Sequence, residues 1–160
     1  HTQHAATIKR ATGATIRAHR ADQPLIETPE VMTPFLMPGI ELEGVKIDAF
    51  VEHGQVVEAL GRKFEVRHVP GHCPGNVLFY LPANDSAGLA AGVALVGDAL
   101  FNGGVGRWDL PGGDFEVLEK SIREQIYTLP DDTVVLPGHG PRTTVGDEKV
   151  GNPFVRGERK

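Results

Sequence analysis

Three segments of the chain share one design, an apolar run leading straight into a glycine-bearing loop that holds a side chain able to ligate a metal. They are residues 66–76 (VRHVPGHCPGN), 94–101 (ALVGDALF) and 134–141 (VVLPGHGP), and the side chains are His72, Asp98 and His139. Imidazole nitrogen and carboxylate oxygen, each bonding at about 2.0–2.2 Å, are ligands that zinc and its neighbours accept. A carboxylate can also bridge two ions about 3.5–4 Å apart, a spacing suited to activating a shared water. Asp98 is the candidate bridge and the candidate catalytic group. Any one of these residues alone reads more simply as a hydrogen-bonded turn residue; the repeated pattern is what points to a site.

Such a site needs rigid supports. Residues 55–60, 63–69, 76–81 and 91–96 are short β-rich runs separated by Gly, Pro, Asn or Asp, and residues 133–136 form a last buried strand. A strand end is stiff and the adjoining glycines permit close approach, so three such ends on one sheet edge would converge their side chains. Residues 114–129 carry Phe115, Leu118, Ile122, Ile126 and Leu129 at helical spacing with charged residues between, which predicts an amphipathic helix capped by Asp114. Residues 2–11 predict a short helix with Thr2 as N-cap and Gly13 past its end, and residues 14–19 a strand. Prolines 24, 29, 34 and 38 suggest that residues 21–44 run as an extended connection, a flap or lid over the body. Residues 147–150 predict a short helix before Asn152 and Pro153.

Composition narrows the classes. The 160 residues, 40% apolar and 23% charged, fit one globular domain over residues 1–160. A net charge of −5 with no Lys/Arg run longer than a pair argues against nucleic acid as a partner. The longest apolar run, near residues 88–96, falls short of the ~20 needed to span a bilayer, so no membrane partner is expected. The single Cys73 rules out an internal disulfide and fits a reducing compartment, the cytoplasm.

In VPGHCPGN (69–76), LVGDALFNGGVGRWDLPGGD (95–114) and LPGHGPRTTVGDEKVGNPF (136–154), taken in that order and spacing, the chain resembles the metallo-β-lactamase fold, specifically its small bacterial glyoxalase II-like hydrolases. The resemblance implies an α/β four-layer αβ/βα sandwich with two divalent metal ions, zinc or alternatively iron or manganese. It makes His72 a ligand of the first metal, Asp98 the bridge and His139 a ligand of the second. The family's signature opens with a His-x-His-x-Asp-His loop; counting back across ten intervening residues from the turn at 12–14 reaches His1, which by the resemblance matches its final histidine and joins the second metal. The preceding His-x-His-x-Asp and the first strands of the fold are absent from this sequence, and they are expected in chain preceding His1; a relative with a broken site is the alternative.

Around these ligands the resemblance places Gly106-Arg107-Trp108-Asp109 beside the active site. Arg107 would hold a substrate carboxylate through paired hydrogen bonds, or else clamp its own loop through Asp109. Trp108 would wall the pocket or cap the core. Asn76 stands where many relatives have a second histidine, a change expected to alter the hydrogen bonds behind the ligands. Cys73 reads as a small buried filler, His4 as a surface or supporting residue, and His19, His53 and His68 as structural or exposed. The resemblance implies hydrolysis of a small-molecule acyl thioester such as S-lactoylglutathione by a metal-bound hydroxide. Alternatives are a mononuclear-iron persulfide dioxygenase and an inactive binding module of the same fold.

Overall fold

A computed structural model describes residues 2–36, 39–84 and 88–157. Its contacts divide the chain into two compact units, residues 1–51 and 52–160.

In the first unit, helix α1 (Ala5–Thr12) ends at Gly13, whose left-handed backbone sends its N–H to the Lys9 carbonyl at 2.8 Å. The helix begins three residues later than its sequence signals suggested: His4 stands at the N-cap, and Thr2 contributes its carbonyl to the Ala5 N–H. Strand β1 (Arg17–Ala18) pairs in parallel with β2 (Ala49–Phe50). The intervening segment corrects the expectation of an extended connection. It is made of 3-10 turns at Arg20–Asp22 and Pro29–Phe35 around a short helix α2 (Gln23–Glu27). The prolines explain the difference, because Pro24 and Pro29 sit in the first positions of helical turns, where a preset φ and a missing N–H cost nothing.

Carboxylates knit this unit. Asp48 accepts from Lys9 Nζ at 2.7 Å and from the Ile16 N–H at 2.8 Å. Glu27 accepts from Gln23 and from the Ile47 N–H, both at 2.9 Å, and Glu43 is held by Arg10.

The second unit is built on a six-stranded sheet in the order β10-β9-β6-β5-β4-β3. Its strands are β3 (Val56–Ala59), β4 (Arg62–His68), β5 (Val77–Leu81), β6 (Val93–Gly97), β9 (Val134–Pro137) and β10 (Thr143–Thr144). A two-stranded hairpin, β7 (Leu100–Phe101) and β8 (Gly104–Val105), follows β6. The β4/β5 and β5/β6 pairs are antiparallel and β6/β9 is parallel, so β4, β6 and β9 all run the same way. Their C-terminal ends therefore open on one edge of the sheet.

Two antiparallel neighbours can share a tight turn, but the parallel β6/β9 pair needs a crossover. That crossover carries α3 (Phe115–Ser121), N-capped by the Asp114 side chain, which accepts from the Val117 N–H at 3.0 Å. The predicted helix over 114–129 is interrupted: residues Ile122–Ile126 form a π turn, closed by Tyr127 N–H to the Ile122 carbonyl at 2.9 Å. The apolar stripe survives, with Leu118, Ile122 and Ile126 fully buried and Leu129 nearly so, packed with Leu78, Val96 and Val135 of the sheet. The wider turn also accommodates Tyr127 as a buried residue, its hydroxyl donating to the Val155 carbonyl at 2.6 Å. Burial, with the Glu148 carboxylate nearby, pushes that phenol above its ordinary pKa. Helix α4 (Val145–Gly151) is longer than the sequence signals suggested and is capped by Thr144, whose hydroxyl accepts from the Asp147 N–H.

Two outcomes follow from this packing. The Lys9 and Ile16 donors hold the Asp48 carboxyl below its ordinary pKa, so its contribution is full above the usual carboxylate range and is lost as pH falls through the lowered value. Protection of the Ile16 amide from exchange should drop on acidification below about pH 4, and Asp48→Asn should remove that acid dependence; an Ile16 amide indifferent to both would contradict the assignment. Gly71, at φ 125°, lies so close to α3 that a Cβ would stand 2.3 Å from the Leu118 nitrogen. Gly71→Ala should therefore destabilise the second unit by about 2–4 kcal/mol in urea unfolding.

Candidate metal centre

The sheet edge gathers the three predicted side chains. Asp98 directly follows β6, His139 lies two residues beyond β9, and His72 four residues beyond β4. Asp98 is 9% exposed, and both histidines face the same carboxylate oxygen: His139 Nε2 at 3.2 Å and His72 Nε2 at 3.8 Å from Oδ2. His1 lies outside the described residues.

Backbone contacts set the three loops against one another. The Gly138 N–H donates to the Gly97 carbonyl at 2.8 Å, locking the start of the His139 loop to the end of β6. On the other side, Asn76 Nδ2 donates to the Val69 carbonyl at 3.2 Å and, more weakly, to Val96 at 3.5 Å. Asn76 thus joins the His72 loop to β6, a role in keeping with the expectation that it works behind the ligands. The loop after the hairpin closes over the site: Gly106 comes so near that a Cβ there would stand 1.8 Å from the Asp98 carbonyl oxygen and 3.1 Å from His72 Nδ1. Only a glycine fits.

The tautomer of His72 follows from its partner. Nδ1 lies 2.8 Å from the Arg107 carbonyl oxygen, which can only accept, so Nδ1 carries the proton and Nε2 presents a lone pair toward Asp98 in the neutral ring. The ring of His139 is held edge-on by Phe101, with centroids 5.8 Å apart.

This donor set suits a divalent cation. With metal–donor bonds of about 2.0–2.1 Å, two ligands on a tetrahedral ion stand about 3.3–3.4 Å apart, and the two observed nitrogen–oxygen separations fall on either side of that value. Among the described residues, no group of three or more His, Cys, Asp or Glu side chains closes into a metal cage by itself. The three residues are two imidazoles converging on one carboxylate.

The neighbouring candidates sort differently. Arg107 and Asp109 form a forked ion pair, Nε to Oδ1 and Nη2 to Oδ2 both at 2.9 Å, so the structure displays the loop clamp of the two roles the sequence left open for Arg107. The pair raises the Arg107 pKa and lowers that of Asp109. Trp108 packs on Phe115 and Phe154 with ring centroids 4.8 and 6.3 Å away and remains 37% exposed. Cys73 is half-buried. His19 caps a 3-10 turn, His53 accepts from the His68 N–H, and His68 Nε2 donates to the Pro74 carbonyl at 2.7 Å, so all three serve the loops.

Sequence reasoning missed Glu148. It is 3% exposed and accepts from Thr143 Oγ1 at 2.7 Å, Asn152 Nδ2 at 2.8 Å and the Gly103 N–H at 3.1 Å. On the sequence it reads as one more solvent-facing charge in a short helix. The signal available was its place between a Thr-Thr cap and an Asn-Pro stop.

Comparison with known proteins agrees with this architecture. Residues 1–139 match the family model of the metallo-beta-lactamase superfamily. Hydroxyacylglutathione hydrolase GloC of Haemophilus influenzae is 42% identical over 115 residues, covering 68% of this chain and 51% of that protein. The chain spans about half the length of the curated relatives it matches. Among solved structures, the BLEG-1 B3 metallo-beta-lactamase superposes with a TM-score of 0.83 at 31% identity, covering 97% of this chain and 71% of that one. TTHA1623 in a di-iron-bound form gives 0.79 at 36% identity, covering 97% and 72%. The sheet, its crossover and the sequence match agree: the chain belongs to the metallo-beta-lactamase superfamily.

Proposed function

We propose that this chain carries part of the active site of a metal-dependent hydrolase that cleaves a small acyl thioester such as S-lactoylglutathione. The observation that carries the reading is the convergence of His72 and His139 on the buried Asp98 at the mouth of three codirectional strands. The likeness to GloC supports the thioester, and the di-iron neighbour supports a paired metal site in which zinc, iron or manganese would serve. His72, Asp98 and His139 would hold the ions. Bound there, the ions would supply Lewis acidity toward a carbonyl and lower the pKa of a water. No helix among the described residues is long and apolar enough to cross a membrane, and the lone Cys73 supports a reducing cytoplasm as the place of work.

The chain's own residues do the positioning. The Arg107 carbonyl orients the imidazole of His72 so that its basic nitrogen faces the site. Asp98 supplies negative charge between two imidazoles from a strand end that cannot swing. The Arg107–Asp109 pair stiffens the loop whose backbone holds His72, and the exposed Arg107 is the group on that loop that a substrate carboxylate would meet.

Metal content and turnover of the full-length protein test the reading. Two ions per chain with thioester cleavage are expected. A single iron with oxygen consumption on a persulfide would overturn it in favour of a dioxygenase, and negligible metal would favour a binding module. Asp98→Ala should cut turnover well beyond the roughly 10–100-fold typical of residues behind the ligands, and abolish tight binding of the second ion with the fold retained; unchanged turnover would remove Asp98 from the chemistry. Arg107→Ala and Asp109→Asn separate the two roles of that pair. A clamp predicts that both lower turnover alike, whereas a substrate contact predicts that only Arg107→Ala raises KM, and only for an acyl thioester bearing a carboxylate.

A further inference from the structure

The segments that continue from Asp98 and from His139 meet at one buried carboxylate, and we propose that Glu148 is a positioning residue for the Asp98/His139 pair. The inference rests on the reading of these residues as metal ligands.

Glu148 receives hydrogen bonds from three separate pieces of chain. Gly103, at the tip of the β7–β8 hairpin, directs its N–H at both carboxylate oxygens, at 3.2 and 3.1 Å. Thr143, the first residue of β10, donates its hydroxyl at 2.7 Å. Asn152, just past α4, donates from Nδ2 at 2.8 Å and bonds the Gly104 carbonyl at 3.0 Å with the same nitrogen. Asn102 adds a direct tie, its Nδ2 donating to the Arg142 carbonyl at 3.3 Å.

These attachments lie beside the ligands. Strand β7 begins two residues after Asp98, and Phe101 within it packs against the His139 ring. Thr143 stands four residues after His139. On its near side each ligand is secured by the sheet, through β6 for Asp98 and the Gly138–Gly97 hydrogen bond for His139. On its far side each is secured by a segment bound to Glu148. Without the carboxylate, the two far segments would keep only their own strand pairings and the single Asn102–Arg142 hydrogen bond between them.

The chemistry of the partners explains an acid at this position. The Gly103 N–H and the Asn152 amide can only donate toward it, and a carboxylate accepts from every side. A glutamine can reproduce the set by placing its amide NH2 on the Thr143 hydroxyl, which then turns to accept. An alanine cannot, and it leaves buried donors without their acceptor.

The test measures zinc affinity of the full-length protein by chelator competition at 25 °C, alongside the NMR contact between the Phe101 and His139 rings. Glu148→Ala should weaken zinc binding by about 10- to 100-fold and reduce the ring contact, while Glu148→Gln stays within about fivefold of the parent, as its retained acceptor predicts. Thr143→Val removes one donor without opening a cavity and should show the same trend if Glu148→Ala does not fold. A folded Glu148→Ala, or in its place Thr143→Val, with parental zinc affinity and ring contact would overturn the proposal, even if its melting temperature fell. Should the parent protein itself bind none of zinc, iron and manganese, the metal reading fails, and positioning is then decided by the ring contact alone: loss in Glu148→Ala upholds it and persistence overturns it.

Discussion

The shared direction of β4, β6 and β9 is the constraint from which the rest follows. A strand end delivers its next residue with little freedom, and freedom grows with every residue of loop that intervenes. Asp98 has none to spare, His139 has one intervening residue and His72 has three. Asp98 is thus the most rigidly placed of the three, and His139 and His72, on longer leads, are trimmed into place by added contacts. Had β9 paired antiparallel to β6, its C-terminal end would have left from the opposite edge, and His139 could not have approached Asp98.

Those added contacts are chiefly backbone ones. The His72 loop is pinned by the Asn76 amide on one side and by the Gly71 carbonyl on the other, which accepts the Asp114 N–H at 2.8 Å next to the cap of α3. Gly71 and Gly106 let two chain segments come within van der Waals contact where a methyl group would collide with backbone. Neither packing alone nor hydrogen bonding alone would hold an imidazole so directed. A carbonyl that fixes the tautomer needs a loop that cannot drift, and the Arg107–Asp109 fork and the aromatic cluster around Trp108 hold that loop from outside.

Much of this was readable in the sequence because the strands are short, apolar and punctuated. The runs around 55–60, 63–69, 76–81 and 91–96 each overlap an observed strand, and His72, Asp98 and His139 each follow a strand. What escaped was nonlocal. The periodicity over 114–129 named the buried Leu118, Ile122, Ile126 and Leu129 but missed the buried Tyr127 and could not show a π turn, because the stripe of Leu118, Ile122 and Ile126 is compatible with both geometries. Proline punctuation over 21–44 suggests extension, yet a proline is equally suited to open a helical turn, and the choice depends on packing that a single sequence does not display. Glu148 escaped for the same reason: its three donors come from positions 103, 143 and 152, which only the fold brings together.

The distribution of burial separates two jobs. Asp98 is sunk against the sheet edge, whereas the His139 side chain is 65% exposed and Arg107 and Asp109 are 60% and 64% exposed. A charge at a protected strand end keeps its geometry whatever approaches from solvent, and groups on exposed loops can change without disturbing it. The sheet therefore fixes where Asp98 stands, and the loop bearing Arg107 and Trp108 presents the exposed side chains beside it. In this superfamily member the first part is built from residues with almost no conformational choice. The second rests on a salt bridge in water, where an exposed ion pair contributes only about 0–1 kcal/mol, so the Arg107 side chain can leave Asp109 at little cost while the Arg107 carbonyl, in a loop also held by the aromatic cluster around Trp108, keeps its hydrogen bond to His72.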